Sequence, residues 1–434
     1  MYFMQKRQKQ AHAKRVRNLI VMFTLSAVIL SVSTYAWFIG MKTVNVETFD
    51  VKIKAADSLL LSIDGSKWVE TLEINQGNYK ADAYTNNTNS WGGSGLIPVS
   101  SIGQMDVTNS RMKMFEKASL TTTPGGYRIM SSQIAYNLNP TDEVNGYVVF
   151  DLFVRNYSGT QYIEDLNQED EEAIYLTKDS AVKVADSGVK DTGIENSVRV
   201  AFAQIGRVEG TSMDSAKITG ISCNGAIGTV TAGVTGICRT AQIWEPNDKL
   251  HVPAAISWYN TSCATRADAD GTYGSYGSCG AVTNDAAYKT YAITKKIDSA
   301  DKVDIYDGIG YNGYTQTVES YSNDDANTNI DIVTTANDLT TLTGKPLYSY
   351  PYFTDTMKTK TGMDRPTFMT LAPNSITKIR VYIYIEGQDV DNYDFASIGK
   401  KISVAFGLSK ERFVKGDIGY NGPDQLEGES TPSE

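Results

Sequence analysis

Histidine is the residue that this sequence has least of. It has two, His12 and His251, and the first lies in a basic segment at the start of the chain. Catalysis by a Ser–His–Asp or Cys–His arrangement would therefore depend on His251 with distant partners, and no G-x-S-x-G motif accompanies it. We interpret His251 as a solvated loop side chain and predict that the chain is not an enzyme. A hydrolase built on two of the 50 acidic residues is a third-ranked alternative.

Acidic residues are missing from the start of the chain. Residues 1–17 contain six basic residues and no acidic one, and residues 18–41 carry no charge. A basic flank followed by an apolar stretch is typical of a secretory signal, with the flank on the cytoplasmic side. Signal peptidase could cleave between Ala36 and Trp37, with Thr34 at the −3 position. Alternatively, the 24 uncharged residues, about 36 Å long as a helix, could span the membrane uncleaved. Both alternatives place the remaining chain outside, at the cell surface or in the medium.

Basic residues are the minority in that exported part. Beyond residue 36 the chain has 34 basic and 50 acidic residues, a net charge of −16. Such a surface repels nucleic acid and favours cations, so we predict no nucleic-acid partner. We interpret the acidic run of Glu164, Asp165 and the residues from Glu169 to Glu172 as a solvated sheet edge that discourages wrong pairing.

Three short segments carry a resemblance. The segment Thr34-Tyr35-Ala36-Trp37-Phe38 resembles the cleavage region of Gram-positive exported proteins that use a dedicated signal peptidase, the TasA–camelysin type. The segments 243–247 (IWEPN) and 385–389 (IEGQD) resemble segments of uncharacterised exported proteins with the same type of signal. The resemblance implies export and suggests a role in a biofilm matrix.

Cysteine is scarce, and its number is even. The four are Cys223, Cys238, Cys263 and Cys279. Outside the cell, an even number indicates disulfides, and four cysteines allow three pairings. We predict the pairs Cys223–Cys238 and Cys263–Cys279, because they close the shortest loops. Zinc is the alternative, although no pair has the C-x2-C spacing of structural zinc sites.

Beyond residue 42 the dominant hydrophobic period is two. Alternating runs at 49–53, 198–202, 379–385 and 402–408 predict strands with one buried and one solvated face. The run from Tyr147 to Val154 is almost wholly apolar and predicts a central strand covered on both sides. Residues 109–120 could form a single helix. We predict an all-β fold, an antiparallel β-sandwich or jelly roll that follows an N-terminal signal or transmembrane helix.

Composition divides the chain into five parts. These are a basic cytoplasmic flank (1–17), a signal peptide or transmembrane helix (18–41), a β-sandwich (42–206 and 346–415), a disulfide-stapled loop-rich insertion (207–345) and a disordered tail (416–434). Long loops on a rigid scaffold are where surface proteins often place recognition. The insertion is therefore a candidate contact surface.

Calcium is the one cofactor that the sequence suggests. The cluster Asp389, Asp391, Asn392 and Asp394 follows the strand at 379–385 and offers oxygens at close spacing. The alternative is that Asp and Asn simply form a turn there. No cofactor is predicted if the turn interpretation holds.

These features predict a structural surface protein that self-associates into a matrix or fibre. Residues exposed by cleavage could pair as a donor strand with a sheet edge of the next subunit. The candidate donor residues are Trp37, Phe38, Ile39, Val44 and Val46. The alternative is a membrane-anchored adhesin that binds glycans or other surface proteins.

Overall fold

The fold was analysed in a computed structural model. It describes most of residues 46–75, 96–132, 146–257 and 369–412, with short gaps inside these ranges, and the short strands 294–295, 308–311, 318–321, 330–333 and 348–349. The signal region, Cys263, Cys279, Asp394 and the tail from 416 lie outside the described residues. Among the described residues, no helix is both long and apolar enough to cross a membrane.

The described chain is all-β, as predicted. Its strands are β1 (Val46–Lys54), β2 (Leu59–Ser62), β3 (Thr71–Ile74), β4 (Val99–Ser100), β5 (Met105–Asp106), β6 (Arg111–Met112), β7 (Phe115–Glu116), β8 (Ser119–Thr123), β9 (Gly126–Ser132), β10 (Val148–Asn156), β11 (Glu172–Leu176), β12 (Ala181–Val184), β13 (Val198–Glu209), β14 (Val230–Thr231), β15 (Val234–Gly236), β16 (Gln242–Glu245), β17 (Thr294–Lys295), β18 (Gly308–Tyr311), β19 (Val318–Tyr321), β20 (Ile330–Val333), β21 (Tyr348–Ser349), β22 (Met369–Leu371), β23 (Ser375–Ile385) and β24 (Lys400–Arg412). A 3-10 helix (Ile194–Ser197) and a short helix α1 (Ser215–Thr219) interrupt them.

Two large sheets contain most of the long strands. The eight-stranded sheet has the order β14-β15-β13-β23-β10-β2, with β16 beside β13 and β21 beside β16. The six-stranded sheet has the order β22-β11-β24-β1-β3, with β12 beside β24. The smaller sheets are β17-β9-β8, β18-β19-β20, β4-β7 and β5-β6. Most neighbours are antiparallel, but β1 runs parallel to β24.

The two large sheets touch through their apolar side chains. Phe202 of β13 meets Phe406 of β24 edge-on, with ring centroids 5.1 Å apart. The side-chain amide of Gln204 pairs with the backbone of Thr370 in β22, donating to its carbonyl at 2.6 Å and accepting from its N–H at 3.3 Å. An amide that pairs in both directions satisfies two backbone groups where one sheet meets the other.

The second face of the eight-stranded sheet is buried too, which corrects the prediction of a solvated face. Met112, Met114 and Val99 cover Tyr147, Val149, Ala201, Ala203, Tyr382 and Tyr384. The N–H of Met112 donates to the Tyr382 hydroxyl at 3.0 Å. Successive residues of these strands do alternate between the two faces of the sheet, but loops cover the face that was predicted to be solvated. The predicted central strand at 147–154 is confirmed: β10 is buried along its whole length between β23 and β2.

The helix predicted at 109–120 is wrong. This stretch contains β6, β7 and the start of β8 instead. A three-residue apolar spacing over twelve residues does not distinguish a helix from short strands and turns that each bury one side chain. Here the tertiary contacts of Met112 and Met114 with the large sheet determine the local structure.

The predicted boundary at residue 207 lies inside β13, which continues to Glu209. Both β15 and β16 pair with β13, so strands of the predicted insertion belong to the eight-stranded sheet. Cys223 and Cys238 form the first predicted disulfide, with Cα atoms 5.4 Å apart, and tie this region together. On the chain-entropy relation, closing a loop of about 15 residues stabilises the fold by roughly 3 kcal/mol.

Charged side chains on the covered face are paired across strands. Arg380 of β23 donates to both carboxylate oxygens of Asp151 in β10, at 2.7 and 3.0 Å. Lys378 lies 3.1 Å from the same carboxylate. Burial alone would raise the pKa of Asp151, but the charges of Arg380 and Lys378 outweigh it and lower the pKa to about 2.

Substituting Asp151→Asn is expected to destabilise the fold by about 3–5 kcal/mol, because two buried cations lose their counter-charge. The folded-state pKa lies below the unfolded value, so Asp151 stabilises the fold above about pH 4, and this contribution disappears as the pH falls toward 2. Urea unfolding at several pH values measures both effects. The exposed Lys52–Glu73 pair supplies the control: Glu73→Gln should cost no more than about 1 kcal/mol. Equal costs for the two variants would contradict the pairing argument.

Candidate functional site: a buried charged cluster

A second buried group of charges lies at one end of the eight-stranded sheet, around Arg199. Arg199 of β13 stands opposite Tyr384 of β23. Its Nε lies 3.1 Å from Oε1 of Glu245, the last residue of β16. Its Nη2 donates to Oδ2 of Asp389 at 2.6 Å. The site is thus built from two neighbouring strand ends and the turn that follows β23.

The turn after β23 folds over Arg199 and is fixed by its own hydrogen bonds. Oδ1 of Asp389 accepts from the Ser197 hydroxyl at 3.1 Å and from the backbone N–H of Asp391 at 2.8 Å. The side-chain amide of Asn392 donates to the carbonyls of Glu386 and Gly387, at 3.3 Å each. The turn therefore holds Asp389 against the guanidinium of Arg199.

Glu386 directly follows the last residue of β23 and connects the cluster to the short strand β4. Its Oε2 accepts from the Ser100 hydroxyl at 2.9 Å. Backbone pairing adds to this contact, because Val99 forms a parallel bridge with Glu386, and the N–H of Gly387 donates to the Val99 carbonyl at 2.8 Å. The cluster thus joins three separate parts of the chain.

His251 lies beside the cluster and is buried, which overturns its interpretation as a solvated side chain. Its Nδ1 lies 2.7 Å from Oδ2 of Asp391, and the N–H of Val252 donates to Oδ1 of Asp391 at 2.9 Å. Burial raises the pKa of Asp391 to about 6; the hydrogen bond from His251 opposes this rise and the nearby Asp389 charge adds to it. Asp391 therefore keeps its proton to a higher pH than an ordinary aspartate does.

The sequence-predicted calcium residues are only partly brought together. Asp389 and Asp391 lie in the cluster, and their carboxylates come within 4.8 Å of each other and of a His251 ring nitrogen, close enough to hold a metal ion. Asn392 uses its amide to close the turn, and Asp394 lies outside the described residues. Both oxygens of Asp391 already take part in hydrogen bonds. Calcium binding by the predicted set stays a prediction.

The sequence did not single out Arg199, Glu245, His251, Tyr384 or Glu386 as site residues. One signal was available: the segments 243–247 and 385–389, noted above for a resemblance, contribute Glu245, Glu386 and Asp389 and meet at Arg199. Of the other predicted residues, Cys223 and Cys238 form the disulfide near β15. Val46 begins β1, while Thr34, Ala36, Trp37, Phe38, Ile39 and Val44 lie outside the described residues.

The acidic run predicted to be a solvated edge contributes a third buried cluster. Glu171 is buried and forms an ion pair with Arg207 of β13. Arg239 lies 3.7 Å from the other oxygen of Glu171 and donates to the Thr370 hydroxyl at 3.0 Å. Burial raises the pKa of Glu171, but Arg239 and Arg207 outweigh it and lower the pKa below its ordinary value. Glu171 therefore remains ionised within the fold.

Comparisons of the chain with protein-family models, curated proteins and solved structures gave no match. The arrangement itself must therefore carry the functional argument. It holds carboxylates, a guanidinium, an imidazole and a phenol, all buried, and it can bind a cation or share a proton.

Substituting Asp391→Asn should change how stability depends on pH. The raised pKa means that the folded chain binds this proton more tightly than the unfolded chain does. The free energy of unfolding therefore falls as the pH rises from about 4 to about 6. Relative to the wild type, the variant should gain roughly 1–3 kcal/mol between pH 4.5 and pH 7. Urea unfolding at both pH values tests this, with the exposed Asp50→Asn as control. A difference independent of pH would refute the assignment.

Proposed function

We propose that this chain is an exported bacterial surface protein, a structural subunit of a matrix or fibre that assembles by β-strand addition. One observation supports the assembly mode best. The first described strand, β1, follows directly on the predicted export segment and pairs in parallel with β24, from Val46 beside Lys400 to Lys54 beside Gly407. Because most of the sequence separates β1 from β24, no hairpin turn joins the two strands. Such a strand can be exchanged between copies of the chain without a change in any hairpin.

The scaffold for this function is a β-sandwich in our proposal. The contacts of Phe202 with Phe406 and of Gln204 with Thr370 support it, because they join the inner faces of the two large sheets. A sandwich presents its strand edges at the sides, where another chain can add a strand.

The position of β1 suggests where addition takes place. Antiparallel strand β3 pairs only with the second half of β1, from Val51 to Lys54. Among the described strands, residues 46–50 pair on the β24 side alone. In the proposed mechanism, residues 37–45 of one copy add as a strand beside the sheet edge at residues 46–50 of the next copy. Backbone hydrogen bonds supply affinity, and the apolar side chains of Trp37, Phe38, Ile39 and Val44 set the register.

Deleting residues 37–45 from the exported chain tests this mechanism. The deletion spares β1, so the monomer should keep its fold while polymers are lost, because the donor segment is gone. Electron microscopy and light scattering measure polymers, and far-ultraviolet circular dichroism measures the fold. A matched control replaces 37–45 with Gly/Ser of equal length, which keeps the spacing without the apolar side chains and should also abolish polymers.

Polymers that survive both changes would refute strand addition by this segment. Intact-mass analysis of the exported protein separates the two export alternatives. A start at Trp37 favours release and assembly, and retention of residues 1–36 favours anchoring.

The second candidate function, a membrane-anchored adhesin, is favoured by a surface patch around Arg155. The Arg155 guanidinium carbon lies 5.1 Å from the Trp68 ring centroid and 5.2 Å from that of Tyr157. Tyr157 is 50% exposed, and Met213, whose sulfur lies 3.9 Å from the guanidinium, is 82% exposed. Ordered, exposed aromatic rings provide stacking surfaces for sugars. Gly210 anchors the arrangement, since its carbonyl accepts from Nε of Arg155 at 2.7 Å.

If the patch binds glycans, Tyr157→Ala should weaken binding on a glycan array at least tenfold, because one stacking ring is removed. The control is Val230→Ala, which removes an exposed apolar side chain from β14, away from the patch. Equal binding by the wild type and both variants would count against this function.

A further inference from the structure

One contact between the two large sheets brings an amine against a carboxamide. Asn156 is the last residue of β10 in the eight-stranded sheet, and Lys410 lies in β24 of the six-stranded sheet. Nζ of Lys410 donates to Oδ1 of Asn156 at 2.9 Å. Since a carbonyl bond is about 1.2 Å long, the amine lies within about 4 Å of the carboxamide carbon Cγ.

A carboxylate lies against both groups. Glu172 of β11 and Lys410 share one face of the six-stranded sheet, because Ile174 stands opposite Lys410 and Glu172 is two residues before it. Oε2 of Glu172 lies 3.3 Å from Nζ of Lys410 and accepts from Nδ2 of Asn156 at 2.8 Å. One carboxylate oxygen thus touches both the amine and the amide nitrogen, and it can carry protons from one to the other.

The carboxamide of Asn156 is held in one orientation. Nδ2 also donates to the carbonyl of Ala372 at 2.9 Å. A carbonyl only accepts, so the nitrogen faces Glu172 and the oxygen faces Lys410. The Ser158 hydroxyl donates to Oε2 of Glu172 and lies 3.1 Å from Oδ1 of Asn156. Its proton can turn to Oδ1 when negative charge develops there, as in an oxyanion hole.

Water is kept from the carboxamide. Asn156 is fully buried, whereas Lys410 and Glu172 expose 12% and 16% of their side chains. Cγ is therefore shielded from hydrolysis, and a small leaving group can escape past the two partly exposed side chains.

The buried Lys378–Asp151 pair lacks these features. Nζ of Lys378 lies 3.1 Å from the Asp151 carboxylate, whose lowered pKa keeps it ionised at neutral pH. An ionised carboxylate resists attack by an amine. The carboxamide of Asn156 carries no such charge and already contacts a base.

We propose that Lys410 and Asn156 form an intramolecular isopeptide bond, with Glu172 as the proton carrier. Glu172 takes a proton from the Lys410 ammonium, and the neutral Nζ attacks Cγ of Asn156. The new bond joins Nζ to Cγ, and the bond from Cγ to Nδ2 breaks. In total Nζ gives up two protons, which leave with the NH2 group of Asn156 as ammonium. Glu172 ends ionised, as it began, so the reaction needs no other reactant.

The bond joins the two large sheets covalently. It links residues 254 positions apart, and β24 also pairs with β1, β11 and β12. A cross-link that closes so long a loop restricts the unfolded chain and stabilises the fold. The inference does not rest on the proposed fibre function, because the bond lies within one chain. A linked chain that fails to polymerise would leave it intact, and polymers of an unlinked chain would leave the proposed function intact.

Tryptic mapping of the full-length chain by mass spectrometry tests the bond. The chain is purified folded in detergent, then denatured, reduced and digested. Trypsin cleaves after lysine and arginine, so an unlinked chain yields separate peptides 156–178 and 402–410. A linked chain yields one branched species that joins 156–178 to 402–412, because trypsin does not cleave after an acylated Lys410. Its mass should lie about 17 Da below the sum of the two peptides, since one ammonia is lost.

Three variants assign the roles. Lys410→Arg keeps the positive charge but removes the nucleophilic amine, so it should abolish the branched peptide. Glu172→Gln should slow its formation about a hundredfold, because no base carries the protons. Lys183→Arg changes an exposed lysine of β12 and should leave the branched peptide unchanged.

The wild type alone decides the question if the variants do not fold. Separate peptides 156–178 and 402–410 from folded wild-type chain would overturn the proposal and leave a hydrogen-bonded ion pair at this position. A loss of ammonia that persists in Lys410→Arg would also overturn it, because it would assign the loss to cyclisation of an asparagine.

Discussion

Every charge buried on the covered face of the eight-stranded sheet must find a counter-charge within the fold. Strands β10, β13 and β23 place Asp151, Arg199, Lys378 and Arg380 on that face, and loops exclude water from it. Such charges contribute little net stability when they are paired and cost several kcal/mol when one partner is lost. Their role is to select the strand register, because Asp151 lies opposite Arg380 only when β10 and β23 pair as observed.

This requirement also explains why distant parts of the chain converge on the sheet. Glu171, which precedes β11, forms an ion pair with Arg207 of β13. Arg239, which follows β15, lies beside the same carboxylate. The turn after β23 closes over Arg199 with Asp389, and β4 contacts Glu386 through Ser100. The apolar contacts between the sheets provide the bulk of the driving force through burial, while the ionic contacts select one arrangement among many.

The strands could be predicted from the sequence because their period-two signal is local. The runs at 49–53, 198–202, 379–385 and 402–408 coincide with β1, β13, β23 and β24. The burial of their second face could not be predicted, because it depends on loops far away in sequence, such as the one that carries Met112 and Met114. For the same reason only Asp389 and Asp391 of the charged cluster were anticipated. Acidic residues close together in sequence draw attention, whereas Arg199, Glu245 and Glu386 acquire their roles only when three segments meet.

The parallel pairing of β1 with β24 has a consequence for biogenesis. The first described strand, β1, cannot pair with β24 until residues 400–407 have been synthesised and are free to reach it. If the chain is exported amino end first, as we propose, β1 reaches the far side of the membrane long before its partner strand does. Pairing between such distant segments of the chain forms late in folding, so the six-stranded sheet is completed only once β24 is available.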